Sequence, residues 1–333
     1  MESKHLDLKV PTGWQTCTTR ELEIVAEEMI RSQMMASLSR FHPFDWIEIK
    51  TRLFFRFAQV KIVSQYVYDG DETDPRYGNT TFVCSHPSLG KKTFELQTWQ
   101  VHSLLDQLKW VDATDQKGRP MPMPKMLWPY PERLWRWRWR RWKPEKDYYR
   151  PGELLDGLSW EQYRLANDWM EVYTNVSNAL ILEQEKRIKA NPERIRELAK
   201  QQKNARLEVL AQFFYVSDPS APSKVKSASR RLLRKITEVE WQVIMFWWSS
   251  MMQYLKEQYP KCFRSSDKKQ RSRSKSMPLP IELYTRSMAT LQKYLGGLTE
   301  AEINAQTAHA ILRHLNDMAV EAEEMEKIRR KHK

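Results

Sequence analysis

The chain has 333 residues, 41% of them hydrophobic and 11% aromatic, which allows a sizeable core and excludes a wholly disordered polypeptide. Only nine glycines occur, which argues against glycine-rich phosphate loops and against most all-β folds. The net charge of +13 is local: residues 133–143 and 224–235 carry six positive charges each and 268–275 carry five, so these 17 leave −4 elsewhere, a pattern suited to a polyanion or an acidic partner.

In chain order, Thr18-x-x-Glu21 reads as a capping box opening a helix, followed by Leu22, Val25, Met29 and Ile30 at helical spacing. A second helix is expected from about Pro43, with Trp46, Ile49, Leu53 and Phe57 on one face. YVYDGD, TTFVCSH and KKTFELQ, between Tyr66 and Gln97, read as a small antiparallel sheet, and a helix follows over about 98–110. PMPMPKMLWPYP within 112–132 favours extended polyproline II and leads into LWRWRWRRW at 134–142.

Beyond Pro151 the pattern is helical. Ser159-x-x-Gln162 is a second capping box, and Tyr163, Ala166, Met170, Tyr173, Val176 and Leu180 continue one stripe. Asn191-Pro192 supplies an N-cap and a proline at the first helical position. SDPSAPSK (217–224) reads as a linker. Thr237-x-x-Glu240 caps a helix apolar nearly all round, which is expected to lie in the core and to stop at Pro260. SSDKKQRSRSKS (265–276) has no apolar residue and is expected to be disordered. Helices over 280–295 and 299–330 close the chain. In the last, Ala308, Ile311, Leu315, Met318, Ala322 and Met325 form a short heptad seam.

The expected fold is mainly α: a helical bundle with a small N-terminal antiparallel β element and a Pro/Trp/Arg-rich extended arm. Its divisions are an α+β region at 1–111, the arm at 112–150, and a helical domain at 151–333 with the basic loop near 265–276.

No catalytic signature is present, so an enzyme is not expected, and neither is a cofactor or a metal. Cys84-x-His86 with His102 lacks paired ligand spacing, and His309 and His314 stand five apart rather than four. Three separated cysteines without CxxC suit a reducing compartment, and the opening MESKHLDLKV has no apolar signal core. The longest apolar run, 243–255, is too short to span a bilayer, so membrane insertion is not expected and the cytoplasm is the expected compartment.

Two binding chemistries remain. Arg136, Arg138, Arg140, Arg141 and Lys143, with Arg230, Arg231 and Arg234, could hold a nucleic acid or other polyanion, the indoles between them stacking on bases. As a strand, the run would put Trp135, Trp137 and Trp139 on one face and the arginines on the other. As a helix, it would align Trp135, Trp139 and Trp142. The competing reading covers these indoles with the fold itself. Protein contact is the second chemistry, through Trp135, Trp137, Trp139, Trp248, Met252, Ile311, Leu315, Met318 and Met325. Burial within the chain competes here too, most strongly for Trp247 and Met251. A homo-oligomer is compatible with the seam, which can pack within a chain or between chains.

Several blocks resemble a group of proteins from tailed-phage and prophage tail-gene clusters. They are VPTGWQTCTTRELEIVAEEM, LSWEQYRLANDWMEVY, LEVLAQFFY, WQVIMFWWSSMMQYLKEQYPKCF and TAHAILRHLNDMAVEAEEME. The resemblance implies a non-enzymatic role in tail morphogenesis, as an assembly chaperone or accessory factor that binds other tail or structural proteins. That role lies in the host cytoplasm, with virion association the alternative. The Pro/Trp/Arg insert, the extended helices over 183–206 and the basic loop at 265–276 depart from that group. A nucleic-acid-binding accessory protein using the three basic runs is the rival reading.

Overall fold

The computed structural model describes residues 8–38, 45–67, 69, 73–74, 77–114, 126, 129, 155, 157–186, 190–218, 221–227, 229–263 and 288–331. The fold is mainly α with a small N-terminal antiparallel sheet. The expected arm, including LWRWRWRRW, and the basic loop at 265–276 lie outside the described residues. Two compact units form: Met1–Pro129 with Thr237–Ser250, and Tyr130–Ile236 with Met251–Lys333. Thr237–Ser250, within the expected C-terminal helical domain, thus groups with the N-terminal residues.

In the first unit, α1 (Thr19–Leu38) starts at the expected box: the Thr18 amide donates to Glu21 at 2.7 Å and the Glu21 amide to Thr18 Oγ1 at 3.3 Å. Each bond satisfies an amide that the first helical turn would otherwise leave orphaned. Leu22, Val25 and Ala26 are buried on this helix. Asp45, not Pro43, sets the start of α2 (Trp46–Phe57), accepting from the Ile47 amide. Ile49, Leu53, Phe54 and Phe57 are buried, and α2 packs against α1.

The sheet follows as β1 (Lys61–Val67), β2 (Thr80–Ser85) and β3 (Thr93–Gln97), all antiparallel in that order. β1 begins five residues before the expected Tyr66. Cys84 on the central β2 and Leu96 on β3 are buried, whereas every residue of β1 is exposed. α3 (Thr98–Leu105) packs on α2 and on the sheet. Trp14 and Trp110 tie the N-terminal segment down: the Trp14 indole N–H donates to the Trp110 carbonyl at 3.2 Å and the Trp110 indole N–H to the Pro11 carbonyl at 3.0 Å. Trp14 also meets Phe246 at a centroid distance of 5.2 Å.

The second unit is built on the hairpin of α4 (Trp160–Glu185) and α5 (Pro192–Phe213). Ser159 and Gln162 form the expected capping box, and Asn191 accepts from Glu193 and Arg194 ahead of Pro192. Tyr163, Ala166 and Met170 are buried, while Tyr173, Val176 and Leu180 are half-buried. Glu183 clips the turn, accepting from Lys186 at 2.5 Å and the Asn191 amide at 3.0 Å; these bonds hold its carboxyl below the usual range.

The segment read as a linker is instead a hairpin. β4 (Tyr215–Asp218) pairs antiparallel with β5 (Ala221–Ser227). Tyr215, Val216 and Val225 are strand-forming residue types, which fits this pairing.

After α6 (Arg230–Leu233), α7 (Glu238–Gln258) is capped by Thr237 and Glu240 as expected and ends before Pro260. Trp241, Val243, Ile244, Phe246, Trp247, Trp248, Met251 and Leu255 are all buried. Within the first unit, the Met126 amide donates to the buried Ser250 hydroxyl at 2.6 Å.

The final helix is not continuous. α8 (Glu300–Ala305) stops at Gln306, and α9 (Ala308–Lys331) starts after Thr307. The break answers a distant partner. Thr307 bridges Ser159, the Trp160 amide donates to Gln306 at 2.7 Å, and the Ala308 amide donates to Leu158 at 2.9 Å.

Candidate protein-binding surface

α9 is the element on which the expected contact residues converge. Its first turns are built into the second unit. Ile311 is fully buried with Met288, Leu291 and Ile303, and Trp160, Leu295, Leu298, Leu315 and Met318 pack around this cluster. Residues 259–263 clasp the same helix from another side. The Lys261 amide donates to Asn316 at 3.2 Å, Cys262 Sγ donates to the Leu312 carbonyl at 3.3 Å, and Lys261 pairs with Glu323.

Further along, the apolar spacing outruns the core. Leu315 and Met318 are half-buried, Met325 is 56% exposed, and Ile328 is 50% exposed. Ile311, Leu315, Met318, Ala322, Met325 and Ile328 keep steps of three and four, so one stripe passes from buried to open. The open part, from Met318 to Lys331, rises about 20 Å. Charged residues surround it, from Glu321 and Glu324 through Glu326 and Lys327 to Arg329.

The remaining expected residues fall in three places. Trp248 is 4% exposed and Ile311 fully covered, so neither presents a side chain to a partner in this conformation. Met252 is half-buried, with the Tyr163 hydroxyl 3.9 Å from its sulfur. Arg230, Arg231 and Arg234 are exposed around α6, and Arg230 pairs with Glu208 of α5. Trp135, Arg136, Trp137, Arg138, Trp139, Arg140, Arg141 and Lys143 lie outside the described residues.

Two features went unread in the sequence. Beside α9, a cleft of about 440 Å³ is lined by Gln258, Tyr259, His309, Arg313, Asn316 and Asp317, with the Tyr259 hydroxyl 2.9 Å from His309 Nδ1. The second is Glu28, a carboxylate buried on α1 between Arg52 and Arg56. Its signal was an acid inside the α1 stripe, facing an i,i+4 arginine pair on the next helix.

Among the described residues, no group of three or more His, Cys, Asp or Glu is placed to hold a metal, and no helix is long and apolar enough to cross a membrane. His86 accepts from the Ser88 amide, capping a short 3-10 turn.

No family model, curated protein or solved structure matches this chain.

The thiols are set against nucleophilic chemistry. Burial, then the Glu21 charge, pushes Cys17 up to about 12; burial pushes Cys84 up to about 11; burial, then Asp317, pushes Cys262 up to about 11. An activated cysteine needs the opposite shift. Near pH 8 the folded protein should therefore react with iodoacetamide roughly a hundredfold more slowly than the urea-unfolded chain. Alkylation of any of the three at the unfolded rate would show that its thiol is not held in this way. Because the fold favours the protonated thiols, stability is complete below the ordinary value of 9.0 and falls as pH climbs through about 11.

Proposed function

We propose that this chain is a non-enzymatic protein-binding factor whose α9 stripe docks a helical partner. Following the resemblance of its sequence blocks, the partner is a phage or prophage tail protein and the role is assembly chaperone or accessory factor. One observation carries the reading: the stripe that closes the core from Ile311 to Met318 continues, in register, into the exposed Met325 and Ile328. Helix-in-groove and coiled-coil contacts are read at this spacing, and burying two such side chains contributes about 1.5–3 kcal/mol each. α4 of the same unit also exposes Val172, Ile181 and Leu182.

The test is co-expression of the full chain with each product of its tail-gene cluster, followed by affinity measurement. Replacing Met325 and Ile328 together by Glu should weaken the complex by at least roughly a hundredfold while leaving the thermal midpoint unchanged. A complex indifferent to both substitutions, or no complex with any of these products, would overturn the reading. Affinity for single-stranded DNA that falls steeply with salt and survives the α9 substitutions would favour the polyanion reading, for which the exposed Arg231 and Arg234 would be the residues to replace.

A further inference from the structure

β1 is the one element of the three-stranded sheet whose residues are all exposed. It stands at the edge, hydrogen-bonded to β2 alone among the described strands. Four of its seven residues are large and apolar: Ile62 is 46% exposed, Val63 61%, Tyr66 40% and Val67 56%. No charge occurs between Ile62 and Val67. Sheet edges are ordinarily guarded by lysines, prolines or inward charges, because an open row of amides and carbonyls templates another strand. The opposite edge, β3, has such a guard in Glu95 at its centre, and its Leu96 is buried. The two edges differ in kind.

We propose that β1 pairs antiparallel with β1 of a second copy of this chain, joining two three-stranded sheets into one of six strands about a two-fold axis. The occupant and its direction follow from charge. Lys61 opens the strand, while Asp69, Asp71, Glu72 and Asp74 follow it in the sequence. Antiparallel pairing brings the basic end of each copy to the acidic end of the other. Parallel pairing would put like charges together. With the axis at Gln65, Val63 of each copy stands opposite Val67 of the other, and Lys61 faces the end of the partner strand that Asp69 follows two residues on. β-branched pairs placed directly across two strands favour that register, and the opposite charges at the strand ends favour its direction.

The register shift between Ile62 and Ser64 is a bulge, which increases local twist and limits how far a flat edge can extend. A two-fold contact uses each β1 edge once, so the association closes at a dimer rather than growing into a fibre. A strand pair of this length lies at the low end of specific interface sizes, so the equilibrium is expected in the micromolar range. The inference is independent of the α9 reading, since β1 belongs to the first unit and α9 to the second.

Sedimentation equilibrium of the full chain across the micromolar range tests it. The unmodified protein should show a monomer–dimer equilibrium. Val63→Lys with Val67→Lys should abolish the dimer and leave the far-ultraviolet spectrum and thermal midpoint unchanged, because both side chains are exposed. Lys61→Glu should weaken the dimer roughly fivefold, and adding Asp69→Lys should restore it. A protein monomeric throughout would overturn the proposal, including one that offers β1 only to a different protein. So would a dimer insensitive to the lysine substitutions, or a double charge swap as weak as the single one. Loss of the dimer on replacing Met325 and Ile328, with the β1 variants unaffected, would place the contact on α9 and likewise overturn it.

Discussion

Glu28→Ala is expected to lower stability by about 3 kcal/mol, toward the lower end of the range for breaking a buried ion pair. The carboxylate is 3% exposed and accepts from Arg52 Nε at 2.7 Å and from Arg56 Nη1 at 2.8 Å. Arg56 also pairs with Glu27, and Arg52 with Glu48, so two helices are laced by one network centred on Glu28. Deleting that centre leaves two guanidinium groups facing each other, each held only by its remaining partner, Glu48 or Glu27. Each reaches solvent with about a quarter to a third of its side chain, which tempers the cost. Urea denaturation should show a lower midpoint at unchanged slope. Replacing Glu28, Arg52 and Arg56 together by Leu should recover most of the loss, since the carboxylates left behind, Glu27 and Glu48, are 34% and 55% exposed and stay solvated. A loss under about 1 kcal/mol for Glu28→Ala would mean that the network holds nothing together.

What could be read from the sequence was local. The boxes at Thr18, Ser159 and Thr237 and the cap at Asn191 each lie within four residues of the amides they satisfy, and all four helices begin there. Glu28 depends on arginines more than twenty residues away. The break at Gln306–Thr307 depends on Ser159, and no spacing within 299–330 announces it. β1 escaped for another reason. Ile62 and Val63 adjoin at its bulge, and Tyr66 and Val67 adjoin in sequence beyond it, so the segment lacks the apolar–polar alternation that identifies a strand. Over 217–224 the prolines and serines suggested a linker, while the strand-forming Tyr215, Val216 and Val225 around them pair as β4 and β5.

The candidate surface was legible in the same partial way. Spacing on α9 names one face, Ile311 to Met325, but periodicity carries no information on where along it a core ends. Trp248 shows the same limit: in a helix apolar nearly all round, composition alone separates no covered side from an open one. Of the three charge runs, only that at 224–235 falls within the described residues, and there Arg230 already serves α5 through Glu208.

Ile311→Ala is expected to cost about 2–5 kcal/mol, and its size relative to its neighbours on α9 is the informative quantity. The side chain is fully buried among Met288, Leu291 and Ile303, and the backbone beside it is fixed by the bonds from Leu158 and Trp160 to the Gln306–Ala308 turn. With both sides held, the cavity has little means to collapse, which favours the upper half of the range. Leu315→Ala and Met318→Ala, at half-buried positions, should cost less. Met325→Ala should fall within about 0.5 kcal/mol of zero, as an exposed side chain with no core behind it. Denaturant midpoints for the four variants would therefore rise along the helix, from lowest at Ile311→Ala to nearly unchanged at Met325→Ala, and the step between Met318 and Met325 would mark where α9 stops serving its own fold. A cost at Met325 equal to that at Ile311 would mean that the stripe is covered to its end, leaving no open surface on α9 for a partner to bury.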